Sequence, residues 1–175
     1  MKEVYLRQSH PIEPILDDES SILILGSFPS VKSREMGFFY GHPQNRFWKV
    51  LSTIFKDDVP STIIEKKAFL IRHHIALWDV IESCDIVGSS DGSIRNVVPN
   101  NIQYILEHAP IQEIYVNGNT AYKLYQKYIF PVTHRQAIVL PSTSPANASY
   151  SLEKLSLIWQ EKIQLNKIDL NEDTR

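Results

Sequence analysis

The residues with the most chemistry to offer lie in one run, Gly37 to Val50, reading GFFYGHPQNRFWKV. Phe38, Phe39, Tyr40, Phe47 and Trp48 surround His42, Asn45 and Arg46, and no acid interrupts them. Flat rings stack on nucleobases, side-chain amides pair with base edges, and cationic side chains meet phosphates. The Gly41-His42-Pro43 break argues against one continuous buried helix. Two further stretches carry small hydroxyl residues around a proline: GSFPS, with Ser27, Phe28 and Ser30, and PSTSPANAS, with Ser142, Ser144, Pro145, Ala146 and Asn147. Hydroxyls and free backbone N–H groups in tight turns can hold phosphate oxygens, although the same residues also make ordinary turns. Asn117 and Asn119 bracket Gly118, and Asp79 follows Trp78. Amides and carboxylates there can read a base edge; Asn119 is equally a helix cap and Asp79 a turn residue.

These residues need a frame. Ile22 to Gly26 is a continuous apolar run that suits a strand buried on both faces, and Ile75–Val80, Gln112–Val116 and Ala137–Leu140 look alike. Between them lie helical patterns. Phe47, Val50, Leu51, Ile54 and Phe55 share one face; Thr62 to Glu65 has the form of a capping box opening a helix through about Arg72. Asn100 can cap a helix carrying Ile102, Ile105 and Leu106 inward, and Asn119 or Thr120 can cap another through Tyr128. A last helix is expected over Ser151 to Leu165 with Leu152, Leu155, Trp159 and Ile163 on its apolar side. Alternating strands and helices predict an α/β fold of three layers, α/β/α, around a four-stranded parallel sheet. In such a sheet ligands sit beyond the carboxyl ends of the strands, where Asp79, Asn117 and both hydroxyl-rich stretches fall. One domain over 1–175 is expected, with its motif-bearing core at 22–152 and a flexible tail from 166 to 175.

Bulk properties narrow the class. The chain has 175 residues and a net charge of −2, yet no acid occurs between Met36 and Lys56 or between Ile114 and Leu152. If those two segments meet, they form a neutral or basic face on a mildly acidic body. Neither a dinucleotide fingerprint, a phosphate loop nor an esterase elbow is present. Six histidines without ligand spacing and a single cysteine, Cys84, give no reason to expect a metal site or an internal disulfide. No stretch approaches the ~20 apolar residues of a membrane span, and the first residues lack a secretion signal, so a cytoplasmic protein with no membrane partner is expected.

The wording of the motifs then matters. LGSFPSVKSREMGFFYGHPQNRFWKVL resembles the first motif region of the uracil-DNA glycosylase superfamily, HPQNRFWKV being nearly that of mismatch-specific uracil-DNA glycosylases, and PSTSPANAS resembles the superfamily's second motif. GSFPS together with STSPAN is most similar to the hypoxanthine-DNA (deoxyinosine) glycosylase branch, over about residues 22–152. The resemblance implies the same four-stranded fold and a monomeric, cofactor-free and metal-free enzyme that cuts the N-glycosidic bond of a deaminated base in damaged DNA. Such enzymes turn the base out of the stack, and ring stacking worth roughly 1–3 kcal/mol per base offsets an extrusion cost of a few kcal/mol. Tyr40 matches the family's stacking aromatic, Phe28 and Phe39 are expected to finish the walls, and Phe47 and Trp48 to be core. Two departures bear on mechanism. Phe28 stands where most members carry an Asp or Asn that orients the attacking water, and Ser142 where many carry a histidine. The hypoxanthine branch relies instead on the asparagine matched by Asn45, whose carbonyl is expected to hold the water; its other reading is a helix cap. Asn117, or else Asn119, is expected to contact the leaving base, while His42 and Arg46 meet phosphate or order the loop. No lysine in the matched segments offers a Schiff-base nucleophile, so strand cleavage is not expected. The alternatives are a uracil or mismatch enzyme in which Asp79 handles the water, and a silent nucleic-acid-binding homologue.

Overall fold

The computed structural model describes the backbone of residues 3–172 and the side chains of residues 3–163. Its centre is a parallel sheet of four strands: β2 (Ile22–Gly26), β3 (Ile75–Asp79), β6 (Glu113–Asn117) and β7 (Ala137–Leu140), in the order β3-β2-β6-β7. All four occupy the expected runs to within a residue. The reason is visible in β2, where successive side chains point to opposite faces and both faces are covered. Ile22 and Ile24 enter one core with α2 (Phe47–Phe55), α3 (Ile63–Arg72) and α7 (Leu152–Glu172), through Phe47, Trp48, Phe69, Leu155 and Trp159. Leu23 and Leu25 enter the other with α4 (Ile102–His108), α5 (Asn119–Leu124) and a π-helical turn at Tyr125–Ile129 that continues into α6 (Phe130–Thr133).

A second sheet adds to that face. β1 (Leu6–Ser9), β4 (Ile81–Ile86) and β5 (Arg95–Pro99) pair antiparallel in the order β1-β4-β5. It seats Cys84 and Ile86 in the core and brings two segments to the mouth of the parallel sheet. One is the turn after β1 that carries His10, and the other is the loop from Val87 to Ser93 between β4 and β5.

Helix ends follow local chemistry: the Ser30 hydroxyl accepts from the Ser33 N–H and caps α1 (Val31–Met36). Thr62 and Glu65 form the capping box in full. Three expectations change. Asn101, not Asn100, caps α4, because Asn100 is buried and donates to the carbonyls of Asp79 and Ile81. Gly118, with φ +99°, precedes α5 in the cap position, so neither Asn119 nor Thr120 caps it. The last helix runs beyond Leu165 to Glu172, and Leu152 is exposed while Leu155, Trp159 and Ile163 are buried. The part of the expected tail at 173–175 lies outside the described residues. Among the described residues no helix is long and apolar enough to cross a membrane.

Candidate active site

A cavity of about 350 Å³ opens at the carboxyl ends of the parallel strands, a size in the lower range of ligand sites. Its lining unites the separate motifs: Ser27, Phe28 and Ser30 after β2, Phe39, Tyr40, His42 and Asn45 before α2, Asp79 ending β3, Asn117 ending β6, and Ser142, Ser144, Pro145 and Ala146 after β7. Thus the two acid-free segments do meet. Asp79 and Asp91 join them from the β3 end and the β4–β5 loop, so the site is not acid-free.

Of the five rings in the opening run, Phe38, Phe39, Phe47 and Trp48 are core. Phe39 touches the cavity at only 2% exposure. Tyr40 is different. It stacks on Phe47 with centroids 3.9 Å apart, holds a left-handed φ of +52° that is costly for a non-glycine residue, and lines the cavity with what Phe47 leaves uncovered. Phe28 forms another part of the wall, edge-on to His10 at 6.1 Å and with the Arg34 guanidinium over its ring.

The acidic corner is built on Asp79, which is 4% exposed. The Ile12 N–H donates to His10 Nδ1, so the ring hydrogen lies on Nε2 and is donated to Asp79 Oδ2 at 2.7 Å. Asp79 Oδ1 turns toward Gly26, the residue paired with it across β2 and β3. A Cβ on Gly26 would lie 2.3 Å from that oxygen and 2.9 Å from the Tyr40 hydroxyl, so only glycine leaves room for both groups. The Tyr40 hydroxyl is buried and makes no hydrogen bond of proper geometry among the described residues, although the Asn117 amide is near. Burial first, and then the charge of Asp79, raise it well above the usual phenol range, which keeps it a donor. Asp91 accepts from Ser27 Oγ at 3.2 Å, and loss of water on its cavity side, with the charge of Asp79, raises its carboxyl. Its loop is pinned by Val31 N–H on Ser89 Oγ and by Arg34 on the Gly88 carbonyl.

The opposite wall is a chain of amides. Asn45 Oδ1 accepts from the Phe47 N–H at 3.0 Å and from Thr143 Oγ1 at 2.9 Å. Thr143 Oγ1 accepts from Asn117 Nδ2 at 3.0 Å, and the Thr143 N–H donates to Asn117 Oδ1 at 3.1 Å. Both lone-pair sites of the Asn45 carbonyl are taken within the protein, which leaves none for the water expected there; nor is Asn45 the helix cap, because Arg46 holds that position and Asn45, one residue earlier, accepts the Phe47 N–H. Asn117 is likewise tied to Thr143 and keeps part of its amide for a ligand.

Other expectations need correction. Asn119 and Asn147 lie outside the cavity, along a neighbouring groove, and Asn147 donates to the Ser142 carbonyl. Arg46 is spent on the carbonyls of Tyr150, Ser144 and Asn147, so it orders the second loop and is not a free phosphate ligand. The hydroxyls of Ser30, Ser142 and Ser144 accept backbone N–H groups of their own turns, as does His42 Nδ1. Sequence reasoning missed His10, Asp91 and Thr143. Thr143 lies inside a stretch that had drawn attention; nothing local marks His10. Among the described residues no cluster of ligating side chains could hold a metal ion.

Comparison with known proteins places this arrangement in a class. A family model of the Uracil DNA glycosylase superfamily matches residues 13–163, and the chain belongs to that superfamily. A Hypoxanthine DNA glycosylase of Methanosarcina acetivorans is 33% identical over 144 residues, 81% of this chain and 90% of the relative. One of Methanosarcina barkeri is 31% identical over 150 residues, 85% and 93% of the two chains. The solution NMR structure of a candidate uracil DNA glycosylase from Methanosarcina acetivorans superposes with a TM-score of 0.74 at 27% identity, covering 89% of this chain and 98% of the other.

Proposed function

We propose that this protein is a monofunctional DNA glycosylase that removes a deaminated base, hypoxanthine foremost, by hydrolysis of its N-glycosidic bond and leaves an abasic site. The membership in a glycosylase superfamily and the two hypoxanthine relatives support the reaction. The observation that carries the substrate is Asp79 Oδ1, an acceptor without a hydrogen-bond partner among the described residues, in a cavity walled by Phe28 and Tyr40. Deamination of adenine turns N1 from an acceptor into an N–H donor beside a carbonyl. A buried carboxylate accepts that N–H; adenine would set a lone pair against it. A site built around one hydrogen bond of a substrate rejects an analogue lacking it by about 10⁴–10⁵.

The rings replace the stacking that the base loses on leaving the duplex. His10 holds Asp79 in place, and the Asp91 carboxylate oxygen not bonded to Ser27 supplies an acceptor for water in the cavity. Pro145 and Ala146, which line the cavity and are exposed, support a DNA-meeting role for the second loop. No lysine lines the cavity among the described residues, which favours simple hydrolysis over strand cleavage.

The test is excision from matched oligonucleotides containing hypoxanthine, uracil, xanthine or adenine, with enzyme in excess and alkali to reveal abasic sites. Breaks at hypoxanthine, none at adenine, and none before alkali are expected. No break at any deaminated base would leave a binding protein without this activity.

A further inference from the structure

The amide wall fixes the polarity of Asn45. Two backbone N–H groups are unconditional donors: that of Phe47 faces the Asn45 side chain, and that of Thr143 faces the Asn117 side chain. Each must meet a carbonyl oxygen, so neither amide can be flipped. Asn117 then points Nδ2 at Thr143 Oγ1, which occupies that oxygen as an acceptor and turns its hydrogen to Asn45 Oδ1. Thr143 is fully buried and has no second partner to choose. The end of Asn45 left over in the cavity wall is Nδ2, a donor with no hydrogen bond among the described residues.

We infer that Asn45 acts on the departing base as a hydrogen-bond donor through Nδ2, and that Thr143 is the positioning residue that holds it in that sense. The inference rests on the glycosylase reading. In the reaction the C1′–N9 bond breaks and its electron pair passes to the purine ring and its carbonyl oxygen. The oxygen of water bonds to C1′ and gives a proton to solvent, and the freed base takes one up. Asn45 keeps its hydrogens throughout; it lowers the energy of the negative charge gathering on the leaving group. A preorganised donor of this kind is worth about 10²–10³ in rate.

Replacing the donor by an acceptor of the same shape separates this from a water-holding role. Asn45→Asp still accepts from Phe47 and Thr143, so the loop is retained. Single-turnover excision of hypoxanthine is expected to fall at least as far as in Asn45→Ala, by about 10²–10³, with binding to abasic-site DNA changed by no more than a few fold. Asn45→Asp within a few fold of the natural protein would overturn the inference, because a carboxylate can only accept. Thr143→Val provides an independent arm: a loss of more than ten-fold, restored to within a few fold by Thr143→Ser, is expected, and an unchanged rate in Thr143→Val would overturn the positioning role. If the natural protein excises no deaminated base, the functional reading itself fails; if it excises hypoxanthine and Asn45→Asp does too, only the inference fails.

Discussion

The two walls of the cavity differ in how completely their polar atoms are used. On the amide wall Asn45, Thr143 and Asn117 bond one another and two backbone N–H groups, and Arg46 clamps three carbonyls of the second loop. In the acidic corner, among the described residues, Asp79 has one oxygen on His10 and the other on no hydrogen bond, and the buried Tyr40 hydroxyl is unbonded. A network whose acceptors are filled costs little to bury and holds a shape, and here it leaves Asn45 Nδ2 as an open donor. An unsaturated one is unfavourable in the free protein and becomes favourable when a ligand supplies the missing partners. The contrast assigns recognition of the base edge to the acidic corner, while the amide wall is held in one polarity and turns Asn45 Nδ2 to the leaving group.

That division can be broken experimentally. Asp79→Ala should reduce hypoxanthine excision by about 10²–10³, the largest effect outside Asn45, since it removes the acceptor for the lactam N–H. A loss under ten-fold in a single-turnover assay would move recognition elsewhere. Arg46→Ala should instead lower stability, by about 2–3 kcal/mol in urea unfolding, because three part-buried carbonyls lose charged donors. Tyr40→Phe sharpens the comparison further: deleting an unbonded buried hydroxyl should leave stability unchanged or raise it by up to about 1 kcal/mol, whereas deleting a paired one costs that much. A clear loss of stability would mean the hydroxyl is bonded in solution. The smallest effect lies away from both walls. His73 and Arg72 hold the Asp57 carboxyl down at about 2. Its contribution is present above the ordinary carboxylate value and fades as pH falls toward 2, so Asp57→Asn should flatten the loss of stability between pH ~4 and ~2, read from urea midpoints.

What the sequence disclosed follows from how local each signal is. The four parallel strands were legible because burial on both faces leaves unbroken apolar runs, and Thr62 with Glu65 is a cap written within four residues. The antiparallel sheet was not. LRQS and RNVVP are short and mostly exposed, and their pairing with IESCDI is set by contacts across the chain. The neighbouring asparagines at 100 and 101 are interchangeable by type; only burial decides which one caps. The motifs named most of the cavity lining, including Tyr40, Asn45, Asp79 and Asn117. Composition could not tell which end of an amide faces a ligand. Nor could it show that Arg46 is consumed by carbonyls, or that His10, ahead of the first core strand, reaches a carboxylate 69 positions later.

The most direct measurement compares hypoxanthine with 1-methylhypoxanthine in the same duplex, in the natural protein and in Asp79→Ala. Methylation removes the N–H that Asp79 is held to accept. The natural protein should cut the methylated base at least a hundred-fold more slowly, about the cost of one lost buried charged hydrogen bond. In Asp79→Ala both should be slow and nearly equal. If the hundred-fold gap persists when the carboxylate is gone, Asp79 does not read the base, and the acidic corner is not its recognition site.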